Sequence, residues 1–309
     1  MTIMKRIIAT FMLLGMMALS YSGGVQAAER FKLFVLAFRG VGDFDAKVRE
    51  TRDALSAAGF EIIGEYTPYA GTFVDNAHVI IVTNDELKKA AAMSKYGGFA
   101  APWRVAVTKV GDDIQVAYAN PIYIANAYRL KTALNGVTES LRKAIGAQES
   151  FGSKKGLTTR KLRKYHYTFG MEYFDDVYQL AGYGSHQEAV DALSKNLVAG
   201  VAGVTEVYRL DLGNDVTVFG VARKAPEGGE EHMDENWIMT NVDFSELKGT
   251  AYLPYEILVD GNKVVALHMR FRMALHYPDL KMMGQNSFMN IMPSPKAIEV
   301  ALTAAAGGK

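Results

Sequence analysis

Two stretches of this chain repeat one order of apolar runs. Residues 31 to 147 and residues 173 to 307 each read as strand, helix, four strands and helix. In the first, Phe31 to Phe38 is an apolar strand and Asp43 is placed to cap the helix that follows. That helix brings Phe44, Val48, Leu55 and Ala58 toward one face before it stops at Gly59. Glu61 to Tyr66 and His78 to Thr83 are rich in β-branched residues and read as strands, with a short helix over Asp85 to Ala92. Trp103 to Val110 and Ile114 to Tyr118 form a hairpin through Gly111-Asp112, a pair that tolerates the positive φ of a tight turn. A helix from about Ile122 to Ile145 closes the unit.

In the second stretch, Tyr173 to Leu180 is a strand, and Ser185-His186-Gln187-Glu188 has the spacing of a capping box, opening a helix that ends near Gly200. Thr205 to Leu212 pairs with Val216 to Ala222 across Gly213-Asn214, and Tyr252 to Val259 pairs with Lys263 to Leu275 across Asp260-Gly261. Pro295 to Ala306 is the closing helix. Pro102-Trp103-Arg104-Val105 and Pro254-Tyr255-Glu256-Ile257 set the register between the two stretches, each beginning a strand that ends at a glycine-containing turn. The expected fold is α+β: two tandem β-α-β4-α units, each an antiparallel sheet with helices packed on one face, from a duplication. The expected division is 1–27 signal peptide, 28–147 first domain, 148–172 basic linker and 173–309 second domain.

The signal peptide rests on Lys5 and Arg6, an apolar run from Ile7 to Leu19, and Val25-Gln26-Ala27, where small residues suit cleavage after Ala27. The apolar run falls short of the roughly 20 residues that span a bilayer, so an exported, periplasmic protein without a membrane span is expected. The chain has no cysteine, which removes disulfides, thiolate metal sites, cysteine nucleophiles and a lipoprotein anchor together. Taking Lys5 and Arg6 from the 34 basic residues leaves 32 against 33 acidic ones, a balance that does not suggest a nucleic-acid partner.

The proline-led strands at Pro102 and Pro254, the Asn84 turn with Ala90 behind it, and the β-α-β4-α order resemble the bacterial family known as domain of unknown function 302. The resemblance is stronger over residues 31 to 147 than over 173 to 307. It implies a fold similar to half of the TATA-binding protein, a homodimer as a partner state, and no established enzymatic activity. The family's Cys-Asn-Pro turn and Pro-Cys pair are replaced here by Thr83-Asn84-Asp85 and Pro102-Trp103, with Pro254-Tyr255 in the second copy, so no thiol role carries over.

Methionine is concentrated in the second copy: eight of the 15 lie between Met233 and Met292, in the same stretch as His232, His268 and His276. Met282, Met283, Met289 and Met292 occupy a connection long enough to act as a lid. Along Val264 to Leu275, read as a strand, Val265, Leu267, Met269, Phe271 and Met273 share a core face. The opposite face then presents His268, Arg270 and Arg272 toward Glu256. A small, partly apolar ligand or a periplasmic protein partner is expected here. Tyr255, Phe271, Phe288 and the four methionines form its wall, and Arg270 and Arg272 orient an acidic group.

The alternative is a copper site using His276, His268, Met282, Met283 and Met289, since thioether and imidazole groups suit Cu(I) and Cu(II). Glu230 to Glu235 reads as a solvated acidic loop, and the basic run Lys154 to Lys164, followed by Tyr165, Tyr167 and Phe169, as a charged linker. No Gly-x-Ser-x-Gly elbow, His-Glu-x-x-His pair or phosphate loop occurs, so the reading is a non-enzymatic binder.

Overall fold

A computed structural model describes residues 28–308; residues 1–27, where the signal peptide is expected, lie outside the described residues. The chain folds as α+β with two antiparallel sheets. The first comprises β1 (Phe34–Val41), β2 (Glu61–Tyr66), β3 (Asn76–Thr83), β4 (Trp103–Val110), β5 (Asp113–Ala119) and β6 (Glu149–Phe151), in the order β2-β3-β4-β5-β1-β6. Its helices are α1 (Phe44–Ala57), α2 (Asp85–Ala92), α3 (Pro121–Ala127), α4 (Asn135–Ile145) and α5 (Thr159–Leu162). The second sheet comprises β7 (Tyr178–Gly182), β8 (Val204–Gly213), β9 (Val216–Arg223), β10 (Tyr255–Asp260) and β11 (Lys263–Ala266), in the order β7-β11-β10-β9-β8. With it run α6 (His186–Val198), α7 (Glu235–Val242), α8 (Met269–His276) and α9 (Ser294–Ala305). Read from β8, the second sheet follows the same strand order as β2 to β1 of the first. Among the described residues, no helix is long and apolar enough to cross a membrane.

Local chemistry explains most boundaries. Asp43 accepts from the amide of Ala46 at 2.7 Å and starts α1, and Asn84 accepts from Leu87 at 2.9 Å and starts α2. Ser185 accepts from Glu188 at 3.2 Å, while the Glu188 carboxylate reaches back to the amide of Gly184, one residue before the cap. Gly111 and Gly261 turn their hairpins at positive φ. Gly220 of β9 lies opposite Tyr208 of β8, and a Cβ there would come within 1.9 Å of the tyrosine ring. The ring fills the space that the missing side chain leaves.

The central strands β4 and β10 are buried nearly end to end, so both faces of each sheet are covered. α1 packs on β2 to β5, and α6 on β8 to β11. The other faces meet through reciprocal contacts: the 3₁₀ turn Gly97–Ala100 before β4 sits against β9 and β10, and its counterpart Thr250–Tyr252 before β10 sits against β3, β4 and β5. One apolar cluster runs continuously through both halves.

Four segments depart from the sequence reading. The helix expected over Ile122 to Ile145 is two, because Arg129 and Leu134 take left-handed conformations. The Arg163 guanidinium donates to the carbonyls of Leu130 and Arg129, which would otherwise be left bare by the break. The stretch 148–172 is not a free connection: Glu149–Phe151 adds strand β6 to β1, and Leu162 of α5 is buried. Within Glu230 to Glu235, Asp234 caps α7 through the amide of Trp237 and Glu235 is buried.

Most important, the strand expected to run to Leu275 ends at Ala266. His268 then caps α8, its Nδ1 accepting from the amide of Arg270 at 3.2 Å. Every residue of α8 except Arg270 is buried. A helix enclosed on all sides carries no apolar stripe, so its residues were open to a period-two reading.

Candidate functional site

The methionine-rich connection between α8 and α9 is tied down by Ser287, whose Oγ donates to the carbonyl of Gly284 at 2.7 Å and also lies 2.8 Å from Asn290 Oδ1. Ile291 anchors it to the core. With its ends fixed, the connection leaves Met282, Met283, Met289 and Met292 at 53, 75, 50 and 64% exposure. Beneath it lies a cavity of about 430 Å³. Six methionines face it: Met171, Met269, Met273, Met282, Met289 and Met292. Tyr167, Tyr178, Phe288 and Ile291 complete the apolar wall. The Tyr167 hydroxyl donates to the Met282 sulfur at 3.3 Å, and its ring lies 5.0 Å from that of Phe288.

The polar rim is charge-matched. Arg270 is ion-paired with Glu172, and Lys296 with Glu299 at 3.0 Å. His268 stacks on Tyr178 at 4.2 Å and turns Nε2 toward Glu172 at 3.4 Å. Burial lowers its pKa, with Glu172 opposing that shift, and the neutral ring has both nitrogens engaged, Nδ1 by the helix cap and Nε2 by the carboxylate.

The candidate residues are thus divided. Arg270, Phe288, Met282, Met289, Met292 and His268 line the cavity. Met283 points away and is the most exposed of the four connecting methionines. Phe271 packs among Tyr128, Tyr165 and Phe174 in the core. Arg272 and Tyr255 are buried between the sheets, so Arg270 and Arg272 do not share a face; two residues apart on a helix, they diverge. His276 lies at a different cavity, its Nδ1 2.7 Å from the carbonyl of Arg272. Burial, reinforced by Arg272 and Arg104, holds its pKa well below the ordinary range. The copper set drawn from the sequence is therefore not one constellation. Among the described residues, no group of three or more histidines and carboxylates is arranged to hold a metal. Tyr167 and Met171 were missed because they belong to the stretch read as a linker; its aromatics were the available signal.

Arg272 belongs instead to a sealed polar seam. Glu256 of β10 is ion-paired with Arg104 of β4 and lies 3.2 Å from Arg272 Nη2. Arg272 also donates to the carbonyls of Tyr252 and Pro254 and lies over the rings of Tyr252 and Tyr255 at 4.2 and 4.4 Å. Burial opposes its charge, but Glu256 and the surrounding tyrosines more than compensate, and its pKa is raised. Nearby, Arg223 approaches Glu235 at 3.7 Å, and the Tyr66 hydroxyl donates to Glu235 at 3.2 Å. Burial outweighs both partners and pushes the Glu235 pKa up to about 7. Arg104 and Glu256 occupy the same step of the two proline-led motifs, so the matched strands meet through opposite charges.

No family model, curated protein or solved structure matches this chain.

Proposed function

We propose that this is an exported, non-enzymatic binding protein whose methionine-walled cavity takes a small, partly apolar ligand. The observation that carries this reading is the wall itself: six thioethers and three aromatic rings around about 430 Å³, a size suited to a small organic molecule. Thioether side chains are flexible and polarisable and adapt to irregular apolar shapes. Because Arg270 and Lys296 are already paired with carboxylates, the rim offers hydrogen bonds without demanding a charged partner. A neutral, elongated ligand with one polar end suits it. Export rests on the N-terminal sequence, and the resemblance to domain of unknown function 302 accords with a protein lacking catalytic machinery.

Titration of protein labelled with [methyl-¹³C]methionine by 1-decanol and by decanoate tests this. The expected result is movement of the Met282, Met289 and Met292 methyl signals, with Met93 unmoved and the alcohol bound at least as tightly as the acid. Undisturbed cavity methyls throughout, together with empty protein after native mass spectrometry against extracted periplasmic lipids and metabolites, would overturn the reading.

A second reading is favoured by the same clustering: Cu(I) held by thioethers alone, since the two histidines that sequence suggested are engaged or elsewhere. Competition against a colorimetric Cu(I) chelator decides it. Sub-micromolar binding lost when Met282, Met283, Met289 and Met292 are replaced by leucine supports copper; binding unchanged by that replacement dismisses it.

A further inference from the structure

Cysteine is absent from this chain, so thioether sulfur is the soft nucleophile left to meet an oxidant. The fold sorts its methionines sharply. Met233, Met239, Met269 and Met273 are buried at 2% exposure or less, whereas Met282, Met283, Met289 and Met292 stand between 50 and 75%. Among the described residues one other methionine is comparably open, Met93 at the end of α2, with 43%. An oxidant arriving from solvent therefore meets four of these five open thioethers on one short connection.

The methionine cavity beneath that connection has two tiers. Met269 and Met273 of α8 line it as buried floor, and Met282, Met289 and Met292 line it as exposed side. Peroxide transfers oxygen to an open thioether in a balanced step. The sulfur lone pair attacks one peroxide oxygen, an S–O bond forms and the O–O bond breaks, and the departing oxygen takes the proton of the transferred one and leaves as water. Sulfur gives up two electrons and the peroxide is reduced. The product is a neutral sulfoxide, polar where the thioether was apolar. The Tyr167 hydroxyl, which donates to the Met282 sulfur at 3.3 Å, then has a stronger acceptor beside it and holds the new oxygen at the cavity wall. The Tyr178 hydroxyl is already spent on the carbonyl of Pro295 at 2.8 Å. An apolar ligand seated against sulfoxides at Met289 or Met292 strips water from their oxygens and returns no hydrogen bond.

On the reading of the cavity given above, we infer that the connecting methionines are a reversible modification site: peroxide-class oxidants convert Met282, Met289 and Met292 to sulfoxides, and the cavity then releases its partly apolar ligand. Met269 and Met273 keep their thioethers, so reduction of the exposed side alone restores the site.

Titration of the full chain with 1-decanol before hydrogen peroxide, after it, and after repair by the pair of methionine sulfoxide reductases that together reduce both epimers provides the test, with peptide mass mapping at each stage. Peroxide is expected to add one oxygen at each of Met93, Met282, Met283, Met289 and Met292, to spare the four buried methionines, and to weaken decanol binding at least about tenfold while the thermal midpoint holds. Repair should restore the affinity, and Met93→Leu should respond to peroxide as the native chain does. Oxidised protein that binds decanol as tightly as before, weakening that persists once the added oxygens are gone, a collapse of the thermal midpoint, buried methionines oxidised as fast as the connecting ones, or a response abolished in Met93→Leu would each overturn the proposal. Untreated protein that binds no decanol would overturn the cavity reading at the first stage and take its regulation with it.

Discussion

The polar seam between the sheets and the methionine cavity at the edge of the second half handle charge in opposite ways. In the seam, Arg104, Glu256 and Arg272 are removed from water, and each is tolerable only because the others are present. At the cavity rim, Arg270 and Lys296 are paired with carboxylates while staying accessible, and the interior is left to thioethers and rings. Across the seam the two sheets meet through groups that need one another, whereas none of those groups lines the methionine cavity. Buried charge specifies; exposed charge beside an adaptable apolar wall leaves room for something else.

The largest expected effect breaks the seam. Glu256→Ala leaves two buried guanidinium groups without their carboxylate and should cost about 3–5 kcal/mol by urea denaturation. A loss under about 1 kcal/mol would mean that water already reaches the seam, and the contrast with the cavity would fall.

The next is a pH dependence. Glu235 has an ordinary value of 4.5, raised to about 7 in the fold. The folded state therefore holds a proton that the unfolded chain has released between those values. The contribution of this group to stability should be highest near the lower end of the window and decline as pH rises toward about 7, by roughly 3 kcal/mol. Asp243, raised from 3.8 to about 6 by burial, adds a decline of the same sign at lower pH. His276, held well below its ordinary value, contributes the opposite slope over the same range, so denaturation midpoints are compared as a difference: between pH 4.5 and about 7 the native chain should lose stability relative to Glu235→Gln as pH rises. A slope of unchanged size in that variant would assign the proton elsewhere.

The smallest effect belongs to the cavity. Met289 is half exposed, so Met289→Ala should alter stability by less than about 1 kcal/mol while weakening any ligand of the methionine wall. A loss on the scale of a core truncation, about 2–5 kcal/mol, would show the connection to be structural interior and its cavity incidental.

How much of this was legible follows from how local each signal is. The caps at Asp43, Asn84 and Ser185 and the turns at Gly111 and Gly261 act within a few residues, and the corresponding elements lie close to where the sequence suggested. The clustering of Met282, Met289 and Met292 with Phe288 around one cavity was partly legible, because these residues share a single connection. Arg272 was not. Its place depends on α8 being surrounded, and full burial erases the period that separates helix from strand. Nor was the role of 148–172, where a three-residue strand and one buried leucine weigh little against a run of lysines and arginines.

Composition and short-range pattern were enough to settle an α+β chain with paired proline-led strands and no thiol chemistry, because backbone propensity, capping and turn geometry are decided between near neighbours. Which charges face each other, which methionines share a cavity, and which histidine stands apart are long-range matters. Arg104 meets Glu256 across 152 positions of sequence, and only the packing of one sheet against the other brings such groups out of water and into contact.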